Sequence, residues 1–273
     1  MKDFKDKIAV VTGAGSGIGR AASLKFSENG MDIAIADVDI EGGEETARGG
    51  RDLGGKAIVV RPDVSDRTSV EALADAVVRD LGIPSLIFNN AGVATFKNIV
   101  DMTSDDWSWV MGVNLDGVIN GVSVFLPLMV KAEAGGHIVN TASLAGLFGV
   151  PNLTSFCASK TAVVGLSEHL RGDLKELNIG VSVLCPGAVA TNIVDAGRNR
   201  PVQFGGPEGL NNDAEQTAEG IAQGLSPDIV AEMIFEGIRD DDPYIMTHAD
   251  LRIPVGARLE ALRAAYEVNA EFR

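Results

Sequence analysis

Short apolar runs alternate with longer segments of helical length and period along most of this chain. The runs fall at Ile8 to Thr12, Asp32 to Asp37, Ala57 to Arg61, Ser85 to Asn89, His137 to Thr141, Gly180 to Leu184 and Tyr244 to Thr247. Several of them, Ile8-Ala9-Val10-Val11 and Val181-Ser182-Val183-Leu184 among them, carry almost no polar positions, as expected of strands covered on both faces. Such β–α alternation predicts an α/β fold, a doubly wound parallel sheet with helices on both sides.

The pattern changes at Ala188 to Ser226, where Gly197, Pro201, Gly205-Gly206-Pro207, Gly209 and Asn211-Asn212 break every period. A long irregular insertion of this kind in an α/β domain is expected to act as a lid or substrate loop. Helical periodicity resumes at Pro227 to Ile238, and a terminal helix is expected over Val255 to Asn269. The whole chain, 1–273, therefore reads as one domain with a substrate loop at about 188–226 and a C-terminal helical extension at about 254–273.

Composition narrows the function. With 23 Lys+Arg against 38 Asp+Glu, the 273-residue chain carries a formal charge of −15. Such a surface repels phosphate backbones and anionic lipid, so neither nucleic acid nor membrane is expected as a partner. The longest apolar stretch, Val118 to Val130, is interrupted by Asn120, Gly121, Ser123 and Pro127 and is expected to be too short to cross a bilayer. The charged start, Met1 to Lys7, has no apolar export signature, and Cys157 and Cys185 make no disulfide framework, so a cytoplasmic address is expected. His137, His169 and His248 lie too far apart for a metal site.

In an open α/β sheet, ligands bind beyond the carboxyl ends of the strands. The first run is followed by Thr12-Gly13-Ala14-Gly15-Ser16-Gly17-Ile18-Gly19, which opens a helix near Ile18. Glycines permit close approach, and a helix N-terminus offers free N–H groups to a pyrophosphate. The second run ends in Asp37, a carboxylate that can accept from both ribose hydroxyls and would repel a 2′-phosphate, which favours NAD over NADP. A helix cap is the competing role for Asp37, and Asp39 serves that role equally well in sequence terms. Further strand ends carry Pro62-Asp63-Val64, Asn89-Asn90-Ala91-Gly92, Ser143 and Pro186-Gly187, while Asn114 and Lys160 sit in helices.

These spaced elements resemble the short-chain dehydrogenase/reductase family over essentially residues 5 to 250. The resemblance rests on Thr12-Gly13-x-x-x-Gly17-x-Gly19, Asp63, Asn89-Asn90-Ala91-Gly92, Asn114, Ser143, Lys160, Pro186-Gly187 and Thr191 in family order. It implies a Rossmann-type sheet in the order 3-2-1-4-5-6-7 and an NAD cofactor held by Gly13, Ser16, Gly17, Ile18, Gly19, Asp37, Asp63, Val64, Asn90, Ala91, Gly92, Lys160, Pro186, Gly187, Val189 and Thr191. It also implies a small alcohol or ketone substrate, and a homotetramer or dimer formed through long helices near Asn114 to Lys131 and Leu153 to Lys175. The pocket walls are expected from Phe96, Leu144, Leu153, Val194 and Phe204, with Arg198 and Arg200 available to meet a carboxylate.

One departure stands out. The family's helix reads Tyr-x-x-x-Lys, whereas this chain reads Phe156-Cys157-Ala158-Ser159-Lys160. The resemblance implies catalytic positions at Asn114, Ser143, Phe156 and Lys160, and phenylalanine has no proton to exchange. Three readings fit. An introduced Tyr-to-Phe exchange would leave the rest of the set intact, as it is here. Natural loss of activity would leave an NAD(H)-binding regulator or scaffold. Native chemistry without the tyrosine would pass the proton through Ser143 or a water.

Overall fold

The computed structural model describes residues 1–270. Seven strands, β1 (Ile8–Thr12), β2 (Asp32–Ala36), β3 (Ala57–Val60), β4 (Leu86–Asn89), β5 (Gly136–Thr141), β6 (Ile179–Cys185) and β7 (Tyr244–Met246), form one sheet in the order β3-β2-β1-β4-β5-β6-β7. Every pairing is parallel, which the order and the helical crossovers require. Each strand lies within a residue or two of its expected place.

The sheet is covered on both sides. On one face pack α3 (Arg67–Asp80), α5 (Gly117–Ala132) and α6 (Thr154–Leu174), through Leu73, Val77, Val122, Phe125, Met129 and Val163. On the other, Phe26 of α1 (Gly17–Glu28), Ala47 of α2 (Ile40–Asp52) and Ile234 of α8 (Pro227–Asp240) meet Val11, Ile35, Phe88 and Leu184. Alternate residues of a strand point to opposite faces, so Val10 and Val11 belong to different cores.

The apolar segment expected to be too short for a bilayer is part of something longer. Helix α4 (Ser104–Met111), a π-helical turn over Gly112–Asp116 and α5 run on as one helix, Ser104–Ala132, long and apolar enough by length and composition to cross a membrane. In this fold it gives Val118, Val122, Phe125 and Met129 to the core and leaves Ile119 and Val130 exposed. Asn114 lies in the π turn, where the wider helical loop turns its amide inward.

The irregular segment contains 3₁₀ turns at Asn192–Asn199 and Val202–Phe204 and a helix α7 (Asn212–Ala222). The terminal helix α9 spans Arg252–Ala270, starting three residues before the expected Val255, and the rest of the expected extension, 271–273, lies outside the described residues.

Candidate active site

A cleft of about 350 Å³ opens beyond the carboxyl ends of the central strands. Its location follows from the strand order. Strand β1 is flanked by β2 and β4, so the chain leaves β1 and β4 in opposite directions and the crevice opens between them. Thr12 ties these two ends together. Its hydroxyl accepts from the backbone N–H groups of Asn90 (2.9 Å) and Ala91 (3.0 Å), and the Asn90 amide returns a bond to the Thr12 carbonyl at 3.0 Å.

The glycine turn is built by close contact. Gly13 has φ +65°, and a Cβ there would sit 2.9 Å from the Ala91 Cα. A Cβ on Gly19 would collide with the Gly13 carbonyl and lie 2.7 Å from the Asn90 amide. Helix α1 begins at Gly17 with no side-chain cap from Ser16 and no acidic residue in its first turn, so its N-terminal N–H groups stay open toward the cleft.

The competing role for Asp37 is resolved by its neighbour. Asp39 caps α2, accepting from the Gly42 N–H at 3.1 Å. Asp37 accepts instead from Gly15 N–H at 2.7 Å and Asp39 N–H at 2.8 Å, and it lines the cleft. Of the residues expected to hold a nucleotide, Gly19 alone does not line the cleft, and it acts through the shape of the turn.

At the far end Ser143, Phe156 and Lys160 converge on the same space. The helical i, i+4 spacing places the Lys160 ammonium 5.6 Å from the centre of the Phe156 ring. Lys160 is buried and donates to the Thr141 carbonyl at 2.7 Å, and burial pulls its pKa down to about 8. The Ser143 hydroxyl caps a 3₁₀ turn by accepting from Ala145 N–H (3.1 Å) and donates to the Pro186 carbonyl at 3.3 Å. Burial pushes the neighbouring Cys185 thiol up to about 12, which leaves it inert.

Asn114 is fully buried and does not line the cleft. Its amide braces the loop after β4, accepting from Val93 N–H at 2.8 Å and donating to the Val93 carbonyl (3.0 Å) and Ser159 hydroxyl (3.1 Å). A Cβ on Gly92 would lie 3.5 Å from both Asn114 Oδ1 and Lys160 Nζ, so both groups close on the same glycine.

The expected substrate walls divide. Phe96 and Leu153 line the cleft; Leu144, Val194 and Phe204 do not. Leu144 sinks into the core beneath β5, Val194 packs beside Phe96 and Phe156, and Phe204 packs on Trp109 and Val110. Trp109 and Val113 line the cleft instead. Their i, i+4 spacing puts both on one helix face, a signal legible in the sequence. Arg200 is not free to meet a carboxylate, because it is 4% exposed and bonded to Asp106 at 2.6 Å. Arg198 lines the cleft, with its guanidinium donating to the Asp195 carbonyl at 2.7 Å. Among the described residues no cluster of His, Cys, Asp or Glu is arranged to hold a metal.

The sequence matches the short chain dehydrogenase family over residues 7–201. The chain belongs to that family. It is 36% identical over 265 residues to the C alpha-dehydrogenase of Sphingobium sp. strain SYK-6, covering 96% of this chain and 87% of that protein. It is 32% identical over 259 residues to a CLA biosynthesis dehydrogenase/reductase of Lactiplantibacillus plantarum, covering 92% and 91%. Among solved structures it resembles a short chain dehydrogenase/reductase from Burkholderia phymatum in complex with NAD, with 40% identity, 97% of each chain covered and a TM-score of 0.93. The fold of this short chain dehydrogenase is thus that of its relatives.

Proposed function

We propose that this chain is an NAD-dependent oxidoreductase that interconverts a secondary alcohol and a ketone, with a catalytic set weakened by Phe156. The observation that carries the reading is one continuous cleft with the uncapped α1 N-terminus and the Asp37 carboxylate at one end and Ser143, Phe156 and Lys160 at the other.

The residues present fit a dinucleotide. The open N–H groups of α1 suit a pyrophosphate, and Asp37 suits a ribose diol while repelling a 2′-phosphate. Asp63, Val64, Asn90, Ala91 and Gly92 would enclose the adenine and central part, and Lys160, Pro186, Gly187, Val189 and Thr191 the nicotinamide end. When bound, NAD(H) takes or gives the hydride. The protein's own part is to hold the substrate oxygen near Ser143, keep water from the apolar end, and move one proton. Phe156 stands at the position implied for the proton-transferring tyrosine, and its ring cannot move that proton. Lys160 and Ser143 retain their polar groups beside it.

The cleft's cationic lining groups are Lys160 and Arg198, both already bonded to backbone carbonyls, so a neutral substrate against the walls of Phe96, Trp109, Val113 and Leu153 fits best. We further infer a single nucleotide-binding unit with its substrate loop at 188–226, acting in the cytoplasm as a homotetramer or dimer. The exposed Ile119 and Val130 on α5 support association through the long helices.

Phe156→Tyr is the deciding experiment. Phe and Tyr differ by one hydroxyl, so the change needs little repacking, and the new phenol would stand beside Lys160. NAD-linked oxidation of a panel of secondary alcohols should rise by about 10²-fold or more, with rate increasing toward alkaline pH. If the unaltered chain oxidises an alcohol as fast as Phe156→Tyr, a Ser143 or water route replaces the tyrosine reading. If neither turns over any alcohol while both bind NAD, the chain is a nucleotide-binding regulator or scaffold.

A further inference from the structure

Behind the substrate end of the cleft lies a cluster of four charges, with Asp106 and Arg200 buried at its centre and Lys97 and Glu208 toward its edge. Asp106, in the first turn of α4, is wholly buried and uses its two oxygens for different tasks. Oδ2 closes the helix cap, accepting from Thr103 N–H at 2.8 Å and from the Thr103 hydroxyl at 2.9 Å. Oδ1 accepts from Lys97 Nζ at 2.9 Å and from Arg200 Nη1 at 2.6 Å. Arg200 also donates to Glu208 Oε2 (2.9 Å) and, from Nε, to the Phe204 carbonyl (2.6 Å). Lys97 stands 3.5 Å from Glu208 as well, so two cations meet two anions.

The cluster joins three separate parts of the chain. Lys97 follows β4, Asp106 begins α4, and Arg200 and Glu208 belong to the irregular segment. The Arg200 guanidinium also lies over the Trp109 ring, 5.4 Å from its centre, and Trp109 lines the cleft whereas Arg200 does not. A desolvated ion cluster gains little net stability over apolar packing of the same shape, but it tolerates few alternative arrangements. Burial alone would raise the Asp106 pKa, but the hydrogen bonds from Thr103, Lys97 and Arg200 outweigh it and hold the carboxyl at about 2, so the arrangement persists across the physiological pH range.

We propose that Arg200 is a positioning residue for the substrate pocket: by gripping Asp106 and covering Trp109 it holds residues 197–208 and the indole as one preformed wall. The backbone is tied to the same anchor, since the N–H groups of both Arg200 and Glu208 donate to the Gly197 carbonyl at 3.0 Å. The substrate segment is then fixed over its first half before any ligand arrives. The pocket-specific part of this proposal rests on the cleft being the alcohol site, while the clamp itself does not.

The test compares the full chain with Arg200→Leu, Arg200→Lys and Glu208→Gln. Amide exchange over 197–208 should quicken at least tenfold in Arg200→Leu, acrylamide should quench tryptophan emission more strongly, and NAD affinity should stay within twofold. In the Phe156→Tyr background, KM for 1-phenylethanol should rise about tenfold while kcat changes less than threefold. Arg200→Lys keeps the charge but loses the fork, and should restore less than half of each effect. Glu208 lies half exposed at the edge of the cluster, so Glu208→Gln supplies the milder case if Arg200→Leu fails to fold, with a two- to threefold increase in exchange. Unchanged exchange over 197–208 in the folded variants overturns the clamp. Quickened exchange with unchanged KM overturns the positioning role. If the Phe156→Tyr background turns over no alcohol, the oxidoreductase reading fails, and amide exchange and quenching still decide the clamp.

Discussion

The two ends of the cleft are made in different ways. The nucleotide end is mostly backbone: strand ends held in register, a glycine turn pressed against Ala91, and the open first turn of α1. The substrate end is mostly side chain, with Trp109, Phe96 and Leu153 projecting from a helix and two loops. A site made of backbone is fixed by the hydrogen bonds of the sheet and varies little with surface sequence. A site made of side chains on irregular segments needs its own anchors, and the Asp106 cluster is one.

That contrast can be broken most forcefully at Lys160, proposed both to hold the nicotinamide end of the nucleotide and to stand beside the proton-transferring position. In the Phe156→Tyr background, Lys160→Met should erase the whole expected gain of about 10²-fold, measured as initial rate of NAD-linked oxidation. A retained gain would mean that the phenol works without the ammonium.

Next in size is Gly19→Ala. Its methyl group must displace backbone, so NAD affinity should drop by about 10- to 100-fold, roughly 1.4 to 2.7 kcal/mol, as read by nucleotide titration. Asp37→Ala acts on a side chain alone. It should narrow the preference for NAD over NADP by about tenfold, and an unchanged ratio would place discrimination elsewhere.

The remaining effects fall on stability rather than on binding or turnover, and they depend on pH. Burial lowers the His137 pKa to about 3 from an ordinary 6.5, so the unfolded chain takes up a proton that the folded chain refuses. Stability should therefore fall as pH drops from 6.5 toward 3, and His137→Gln should flatten that fall in urea unfolding midpoints. For Lys160 the same logic runs at higher pH. Its pKa is lowered from 10.5 to about 8, so the buried charge costs on the order of 3 kcal/mol below pH 8, and the cost fades as pH rises from 8 to 10.5. Lys160→Met should unfold at higher urea than the parent at pH 7, with the gap closing between pH 8 and 10.5.

The nucleotide end was legible because its physics is local in sequence. A strand buried on both faces leaves an apolar run, and the residues directly after that run lie at the crevice, so Gly13, Asp37, Asn90 and Pro186 could be placed without any contact information. The substrate end obeyed no such rule. Val194 and Phe204 sit on 3₁₀ turns, where a one-residue shift changes the face a side chain presents, and both point at neighbouring side chains instead of the cleft. Arg200 looked like an exposed loop cation because its counter-charge lies 94 residues earlier. Asp39, by contrast, takes the capping role that the sequence left open between it and Asp37, through a preference already present in the sequence.

The Thr12–Asn90 lacing and the Asp106 cluster together define what can be exchanged between relatives. A graft of the segment 188–226 from another short chain dehydrogenase leaves the lacing of β1 to β4 untouched, so the nucleotide should still bind. Specificity will travel with the graft only if its anchor does. A foreign loop without an arginine at position 200 would strand the Asp106 carboxylate between Lys97 and an apolar wall, and the inverse graft would carry a guanidinium to a scaffold with nothing to receive it. The transplantable unit is thus the loop together with residues 97 and 106, a cassette discontinuous in sequence and contiguous in space.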